Sequence, residues 1–522
     1  MSGIQPTREM IQNLILNDIQ KTLQSNWKSL SNYSSMPIPT TSSLNLSENP
    51  LIINELSYDM SALESEHIEL IGKLNSDQKI AYETIKNAVN ANNGGVFFLY
   101  GYGGTGKTFL WKTLSAAFRS VGEIVINVAS SGIAALLLSG GRTAHSRFAI
   151  PIDPTDESFC RILPNSNLAA LIWRANLIIW DEAPMVKRIC FETMDRSFRD
   201  ICRPINPNSM DIPFGGKVIV FGGDFRQLLP VVTHGKREDI VNATLNSSYL
   251  WDYVTVLKLR ENMRLAKVPS GPSTEENEKE LEDIRSFAQW LLDIGDGNVN
   301  PTDDGIFDIQ MPEDVLITDV NDPIGSIISC IYPDYLLNLG NPSYYQERAI
   351  LAPTHEVVNI INDRMMDSLE GEARSYLSSD SICQSDRDAD FNSELYTTDY
   401  LNSINIGGLP KHDLRLKVGV PVMLLRNIDQ SGGLCNGTRL QVIQLCEKVT
   451  KAKVLTGTHA GKIVGISRML IVPSDKRIPF RFQRRQFPIA VCFSMTINKS
   501  QGQSLAHVGL FLPKPVDVCE AY

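Results

Sequence analysis

The sequence predicts an α/β protein whose strands form parallel sheets, and three features of the chain support this class. Helical and strand-like stretches alternate from Lys73 to Asp181, and a second α/β block begins near Val315. Strands separated by helical stretches form parallel sheets with right-handed crossovers. From about Val420 to Gln486 the pattern changes to short β-like runs, which predict a small β-module inserted into the second block.

The chain has 522 residues, more than a single hydrophobic core organises. We predict an N-terminal helix and linker over residues 1–70 and a first α/β domain over residues 71–265. A second α/β domain combines residues 266–419 and 487–522, and the β-module occupies residues 420–486. Within the N-terminal part, four apolar residues at four-residue spacing predict an amphipathic helix over residues 8–30, and the Ser-, Thr-, Asn- and Pro-rich stretch Asn32–Pro50 is typical of a linker.

The individual elements follow from apolar runs and helical periodicity. In the first block we predict helices after Asn75, over Phe109–Phe118 and near Ala134. The predicted strands of this block are Val96–Tyr100, Ile124–Ala129, Leu177–Trp180 and Lys217–Gly222. Beyond it we predict helices over Glu275–Leu292 and Glu356–Met366, with strands over Arg348–Leu351, Val420–Leu425, Arg439–Cys446, Lys451–Leu455, Ile463–Val472, Ala490–Ser494 and Val508–Leu512.

Composition excludes several classes of protein. Hydrophobic residues make up 43% and charged residues 21% of the chain, as in ordinary globular proteins, and no apolar run reaches the length of a membrane span. The nine cysteines are scattered, without a Cys-x-x-Cys pair or a nearby His, which predicts reduced thiols rather than disulfides or zinc ligands. The start Met1–Pro6 lacks the features of a secretory signal. The net charge of −10 argues against a uniformly basic nucleic-acid coat, but it leaves room for a basic groove.

The most informative motif is Gly-Tyr-Gly-Gly-Thr-Gly-Lys-Thr at residues 101–108, between a predicted strand and a predicted helix. In this context backbone N–H groups and the helix dipole converge on one point, where a polyphosphate binds, and glycines allow its close approach. We predict that ATP binds here, with Lys107 on the β- and γ-phosphates and Thr108 on Mg²⁺. The predicted binding residues are Gly101, Gly103, Gly104, Thr105, Gly106, Lys107 and Thr108.

Two adjacent carboxylates follow the apolar run 177–180. The carboxyl ends of parallel strands are where ligands bind, so Asp181 is suited to hold Mg²⁺ and Glu182 to polarise the attacking water. An acidic pair at a strand end is more often merely solvated. Its position one βαβ unit after the Gly-rich motif favours the functional interpretation.

Two further residues are candidates for the γ-phosphate. Gln227 follows the predicted strand ending at Gly222, and its location favours a phosphate contact over an ordinary loop amide. Arg264, in the segment Leu259–Arg264, is a candidate arginine finger. A surface ion pair explains a single arginine there equally well.

Taken together, the ordered motifs resemble the PIF1-like DNA helicases of superfamily one, type B, and most closely the plant group related to Helitron transposon helicases. The resemblance covers roughly residues 70–515. It is carried by Leu74–Gln78, residues 101–108, Ala129–Ala135, Thr143–Ser146, Asp181–Met185, Gly222–Pro230, Leu416–Asn427, Gly433–Thr438 and Phe493–Gln503.

This resemblance implies two RecA-like P-loop NTPase domains with ATP between them, and an SH3-like β insertion in the second. It also implies a DNA helicase that couples ATP hydrolysis to 5′-to-3′ movement on single-stranded DNA, in repair, recombination, or telomere or transposon maintenance. The expected partner is single-stranded DNA or a DNA junction, and no membrane contact is expected. The expected location is the nucleus, with the mitochondrion as the alternative. The sequence leaves the oligomeric state open, with a monomer as the expectation. Gln78 is assigned to adenine, and Gln227 and Arg264 to the γ-phosphate. The DNA strand is assigned to Thr143, His145, Lys499, Gln501 and Gly502.

The stretch Ser474–Pro488 leaves two interpretations open. It interleaves cations with aromatic rings, a pattern that suits single-stranded nucleic acid: Lys476, Arg477, Phe480, Arg481, Phe482, Arg484, Arg485 and Phe487. A twisted hairpin with one charged face and one aromatic core face fits the same alternation.

The end of the chain departs from the family pattern. Family members continue after the segment equivalent to Leu512–Val516 into a motif whose arginine is a second finger on the γ-phosphate, and residues 517–522 do not contain it. A finger arginine accounts for roughly 10³–10⁵ of the rate in related NTPases. The sequence therefore predicts either a helicase that relies on Arg264 or a helicase-derived protein that binds ATP and single-stranded DNA without productive unwinding.

Overall fold

The computed structural model describes residues 49–204, 206–232, 235–265, 275–298, 309–319, 321–383, 396–430, 432–457, 459–473, 478 and 480–513, with scattered positions between residues 16 and 37. Most of the predicted N-terminal helix and most of the linker after it lie outside the described residues. None of the helices in the described part of the chain combines the length and apolar character that a membrane span needs.

A six-stranded parallel sheet forms the centre of the first α/β unit. Its strands lie in the order β3-β2-β4-β5-β1-β6. They are β1 (Gly95–Tyr100), β2 (Ile124–Ala129), β3 (Arg142–Thr143), β4 (Ala175–Asp181), β5 (Val218–Gly223) and β6 (Val254–Lys258). All four strands predicted in this region are confirmed. The two edge strands β3 and β6 were not predicted, because one is two residues long and the other is largely exposed.

Helices cover both faces of this sheet. They are α1 (Pro50–Leu56), α2 (Met60–Ile71), α3 (Ser76–Ala91), α4 (Lys107–Arg119), α5 (Gly132–Leu136), α6 (Ala144–Arg147), α7 (Asn167–Arg174), α8 (Arg188–Cys202) and α9 (Arg237–Ala243). The predicted start after Asn75 is confirmed by a capping box, in which Asn75 and Gln78 each bond the other's backbone N–H. Apolar cores on both faces, with Phe98 and Ile178 on one and Leu99 and Ile179 on the other, hold the layers together.

The sequence analysis did not anticipate α1 and α2. Helix α1 is anchored by Ile52, which is buried in the core, and by Glu55, whose carboxylate is buried against Arg119 and Arg147. Because Arg147 belongs to α6, this buried cluster ties the N-terminal part of the described chain to the short helix that carries His145. Its charges are compensated, as burial requires.

The second α/β unit begins with α10 (Glu275–Gly295), α11 (Pro323–Ile331), α12 (Pro342–Gln346), β7 (Arg348–Ala352) and α13 (His355–Ser368). The chain then runs through β8 (Arg374–Leu377), β9 (Ser379–Ile382), α14 (Thr398–Ser403), β10 (Asp413–Leu416), β11 (Pro421–Leu424), β12 (Arg439–Leu445), β13 (Val449–Val454), β14 (Ile463–Ser467), β15 (Met469–Ile471), β16 (Phe482–Gln486) and β17 (Ile489–Val491). It returns through β18 (Ser494–Thr496), α15 (Ile497–Ser500) and β19 (His507–Leu510).

These strands form one small parallel sheet and three antiparallel ones. The parallel sheet has the order β18-β7-β19, and α11 and α13 pack beside it. A five-stranded antiparallel sheet has the order β14-β13-β12-β11-β17, and β15-β16-β9 and β10-β8 form the others. The predicted β-module is therefore antiparallel, and strands on both sides of residues 420–486 pair within it. Its proposed limits and its SH3-like character stay predictions.

Two predicted strands are corrected. The run Ile463–Val472 divides at Arg468 into β14 and β15, which belong to different sheets. The run Ala490–Ser494 also divides, since β17 pairs with antiparallel β11 whereas β18 pairs with parallel β7. In both cases the apolar pattern continues across the break because each half contributes buried residues, such as Ile466 and Ile471 in the first run, although the two halves have different partner strands.

Candidate nucleotide site between the two parallel sheets

The Gly-rich loop lies between β1 and α4, as predicted. Gly104 and Gly106 have φ values of +93° and +83°, in the left-handed region that favours glycine. A Cβ atom at Gly106 would overlap the Gln78 side-chain amide, and one at Gly104 would overlap the Asn262 side chain. Gly103 has open space around its Cα. The loop can therefore bring its backbone close to a phosphate, as polyphosphate binding requires.

Gln78 is fully buried beneath this loop. Its side-chain oxygen accepts a hydrogen bond from the Asn75 backbone N–H at 3.1 Å, and its Nε2 donates to the Thr105 carbonyl at 3.0 Å. The amide thus joins the start of α3 to the loop. Its assignment to adenine stays a prediction, and the structure adds a second role for Gln78 as a support of the loop.

Asp181, at the end of β4, faces the same loop. Burial raises the pKa of its carboxyl, and the Lys107 ammonium opposes that rise. Lys107 Nζ itself donates to the Gly101 carbonyl. Within the described part of the chain, Asp181 Oδ1 is buried without a hydrogen bond of normal geometry. An unpaired buried carboxylate oxygen next to the exposed Thr108 is the kind of hard oxygen donor that suits Mg²⁺, so both predicted metal residues fit this ion.

Glu182 follows Asp181 and adopts a left-handed backbone conformation, with φ +54°. This conformation is costly for a residue with a Cβ, and such strain is concentrated at functional sites. The Ser130 hydroxyl donates to the Glu182 carbonyl at 2.5 Å and so holds the turn. Burial and the neighbouring Asp181 raise the pKa of Glu182 to about 7. A carboxylate with this pKa is well matched to general base catalysis near neutral pH.

Gln227 and Arg264 line the same cavity as Lys107, Asp181 and Glu182. Gln227 lies just beyond β5, and its backbone N–H donates to the Asp224 carbonyl at 3.2 Å. Arg264 is exposed, and no ion pair of its guanidinium occurs among the described residues. The surface ion pair considered for Arg264 is therefore not observed among the described residues. The roles of both residues stay predictions.

The cavity has a volume of about 1000 Å³ and is shared by the two parallel sheets. From the first come the Gly-rich loop, the acidic pair, Gln227 and Arg264. From the second come six residues that follow β18: Ile497, Ser500, Gln501, Gly502, Gln503 and Ser504. This arrangement encloses the predicted phosphate site between the two α/β units.

The residues assigned to DNA by resemblance divide into two groups. Thr143, His145 and Lys499 lie outside the cavity, whereas Gln501 and Gly502 line it. Gln501 Nε2 donates to Glu182 Oε2 at 2.8 Å, so its side chain is directed to the predicted base. No sequence pattern predicts this contact, because it depends on how the two units pack. The DNA assignments of all five residues stay predictions.

His145 and Lys499 have environments that lower their basicity. Burial lowers the pKa of His145, whose Nε2 lies 3.8 Å from Cys190 Sγ. Burial and the positive charge of Arg426 lower the pKa of Lys499, whose Nζ donates to Asn436 Oδ1 at 2.9 Å. A partly buried cation beside a second cation is suited to bind an anion.

In the stretch Ser474–Pro488 the described residues favour a structural hairpin over an aromatic stacking surface. Phe480, Phe482 and Phe487 are 5%, 1% and 0% exposed, so their rings are not available to stack on bases. Arg484 is fully buried and paired with Asp380. Arg481 and Arg485 are exposed, while Lys476 and Arg477 lie outside the described residues.

Replacing Lys107 with alanine should weaken ATP binding by about 10- to 150-fold. The lysine is the cation of the Gly-rich loop, and a hydrogen bond to a charged group contributes roughly 1.5–3 kcal/mol. Titration with a fluorescent ATP analogue measures the affinity directly. Lys112→Ala is the matched control, since Lys112 lies in the same helix but pairs with Glu66 at the surface. Equal affinity for the Lys107 variant and the unaltered protein would contradict the predicted site.

Comparison with known proteins places this arrangement in a family. The sequence matches the PIF1-like helicase model over residues 73–305 and the model of the DNA helicase Pif1 2B domain over residues 399–445. The ATP-dependent DNA helicase PIF1 of Xenopus laevis is 25% identical over 458 residues, which make up 86% of this chain and 59% of that protein. The chain thus spans less than two thirds of that relative.

Two solved structures share the fold. The Pif1 helicase from Candida albicans has a TM-score of 0.55 and 21% identity, with 86% of this chain and 91% of that chain covered. The Pif1 helicase from Bacteroides in complex with ADP-AlF3 and ssDNA has a TM-score of 0.53 and 20% identity, with coverage of 84% and 93%. These likenesses confirm the predicted RecA-like α/β fold.

Proposed function

Because this chain belongs to the PIF1-like helicase family, we propose that it is an ATP-dependent DNA helicase that moves 5′-to-3′ along single-stranded DNA. The observation that carries the proposal is the convergence of Lys107, Asp181 and Glu182 with residues of the second parallel sheet in one cavity. A site shared by two units lets nucleotide binding and hydrolysis change their relative position, as a translocating motor needs.

Each of these cavity residues has its own role in the proposed hydrolysis. Lys107 and the backbone N–H groups of the Gly-rich loop bind the phosphates, and Glu182 takes a proton from the attacking water. Thr108 and Asp181 would hold Mg²⁺, which neutralises charge on the phosphate oxygens when bound. To Gln227 and Arg264, which line the cavity, we assign the γ-phosphate.

The partner that we propose is single-stranded DNA or a junction that contains it. The Bacteroides relative was crystallised with ssDNA, and Lys499 provides a partly buried cation outside the nucleotide cavity. By family analogy we also propose a monomer that acts in the nucleus, in DNA repair, recombination, or telomere or transposon maintenance.

ATP hydrolysis by the purified chain, with and without single-stranded DNA, tests the proposal, with Glu182→Gln as the blank. Strand displacement is then compared on duplexes with a 5′ or a 3′ single-stranded tail. Stimulation by DNA and displacement of the 5′-tailed duplex support the proposed helicase. Binding of ATP and DNA without hydrolysis supports the alternative, a helicase-derived protein that binds both without unwinding. Failure to bind single-stranded DNA contradicts both.

A further inference from the structure

Gln501 lies at the contact between the two α/β units, in direct contact with the predicted base. Its Nε2 donates to Glu182 Oε2 at 2.8 Å and lies 3.5 Å from Gln227 Oε1. The ionised form of Glu182, which acts as the base, only accepts hydrogen bonds, so in that form the NH₂ group of the amide faces Glu182. The bond joins residues 319 positions apart in the sequence, one after β4 and the other after β18.

The backbone around Gln501 is fixed by its neighbours. Gly502 has φ +77°, and a Cβ there would lie 3.1 Å from the Ile133 side chain. Gly437, with φ +94°, also packs against Ile133, because a Cβ atom at position 437 would lie 2.6 Å from Ile133 Cδ1. On the other side, Lys499 is held by Asn436. Ile133 of α5 therefore sits against two glycines of the second unit, and this packing sets the place of Gln501.

The second observation concerns the oxygen atom of the Gln501 amide. Gln501 Oε1 is buried and has no hydrogen-bond partner among the described residues. Leaving a buried acceptor unpaired costs roughly 1–3 kcal/mol, so such an atom is expected to meet a donor during function. A water molecule bound beside Glu182 would supply such a donor.

We propose that Gln501 is a positioning residue for ATP hydrolysis, whose Nε2 orients the Glu182 carboxylate and whose Oε1 accepts a hydrogen bond from the attacking water. In the step it assists, the water oxygen bonds to the γ-phosphorus and one water proton passes to Glu182. The bond from the bridging oxygen to that phosphorus breaks, and its electron pair leaves with ADP. Hydrolysis then depends on the docked position of the second unit.

This inference rests on the proposed function, and it assigns Gln501 to the hydrolytic side of the site rather than to the DNA strand. The segment from Lys499, which lies outside the cavity, to Gln501, which contacts the base, joins the two sides within three residues. Movement of the second unit away from Ile133 would remove the amide from Glu182 and so stop hydrolysis.

The test compares Gln501→Ala and Gln501→Asn with the control Asn498→Ala, an exposed residue of α15, the short helix that directly precedes Gln501. We measure kcat and KM for ATP at saturating single-stranded DNA, and separately the affinities for a non-hydrolysable ATP analogue and for DNA. Both Gln501 variants should lower kcat by roughly 10- to 100-fold, as loss of catalytic positioning does. The affinities and KM should stay within about twofold. Asn498→Ala should match the unaltered protein.

A double variant adds a readout that a structural role would not give. Because Gln501 orients both Glu182 and the water that Glu182 deprotonates, the two losses should not add, and Gln501→Ala combined with Glu182→Gln should be slowed by less than the product of the two single effects. An unchanged kcat for Gln501→Ala, or a loss confined to DNA affinity, overturns the inference and leaves the proposed function standing. An unaltered protein without any hydrolysis overturns both. Asparagine carries the same amide on a side chain that is one methylene shorter. A lower kcat of Gln501→Asn in a normally folded protein therefore shows that the amide must reach Glu182.

Discussion

Replacing Glu182 with glutamine should lower the rate of ATP hydrolysis by roughly 10²–10⁴-fold, the contribution expected of a positioned general base. The amide has nearly the same shape as the carboxylate but cannot take a proton. Burial and Asp181 raise the pKa of Glu182 to about 7, which gives the carboxylate the basicity that proton transfer at neutral pH requires. ATP affinity should stay within about twofold, because the phosphate contacts belong to the Gly-rich loop and Lys107.

Steady-state hydrolysis in the presence of single-stranded DNA measures the rate, and an ATP analogue measures the affinity. Glu83→Gln, at an exposed position of α3, makes the same chemical change away from the cavity and should leave the rate unchanged. Hydrolysis by the Glu182 variant at the rate of the Glu83 variant would exclude Glu182 as the base. A parallel loss of ATP affinity would assign it to binding.

The nucleotide half of the site could be predicted from the sequence because its residues are local to short motifs. The strand, glycines and helix around residues 101–108 specify one another, and the acidic pair ends a strand that is recognisable by its apolar run. Each of these signals depends on neighbours in the chain, so the structure places Lys107, Asp181 and Glu182 in one cavity as expected.

Gln501 could not be predicted in the same way. Its contact with Glu182 depends on the docking of Ile133 against Gly437 and Gly502, which are far apart in the sequence. The resemblance to helicases assigned the surrounding motif to DNA as a whole, whereas the structure directs one of its side chains to the base. A motif assigns a function to a segment, but packing decides which side chain of the segment meets which partner.

The alternating stretch around Phe482 shows the same limit within the β-module. Cations alternating with rings are compatible with a nucleic-acid surface and with a hairpin, because alternation tells which residues share a face and not what covers that face. In the structure β16 pairs with β9 and β15. Leu401 and Leu409 pack against the aromatic face of β16, and both precede Phe482 by more than 70 positions in the chain.

Replacing Asp380 with asparagine should destabilise this part of the molecule by about 3–5 kcal/mol, the usual effect of removing one partner from a buried ion pair. Arg484 and Asp380 are 1% and 0% exposed at their side chains. Arg484 Nε lies 3.0 Å from Asp380 Oδ1, and Nη2 lies 2.6 Å from Oδ2. The guanidinium also donates to the carbonyls of Pro410 and Leu401, so it cannot turn to solvent when its counter-charge is removed.

Hydrogen–deuterium exchange followed by mass spectrometry is the suitable measurement, because the chain has several units and a single unfolding transition is not expected. Amides of β9 and β16 should exchange faster in Asp380→Asn, while those of β1 and β4 keep their rates and ATP still binds. Arg485→Ala, at an exposed position of the same strand, should change local stability by less than about 0.5 kcal/mol. If Asp380→Asn left exchange unaltered and lowered DNA affinity instead, Arg484 would belong to a nucleic-acid surface and the structural interpretation of this stretch would be wrong.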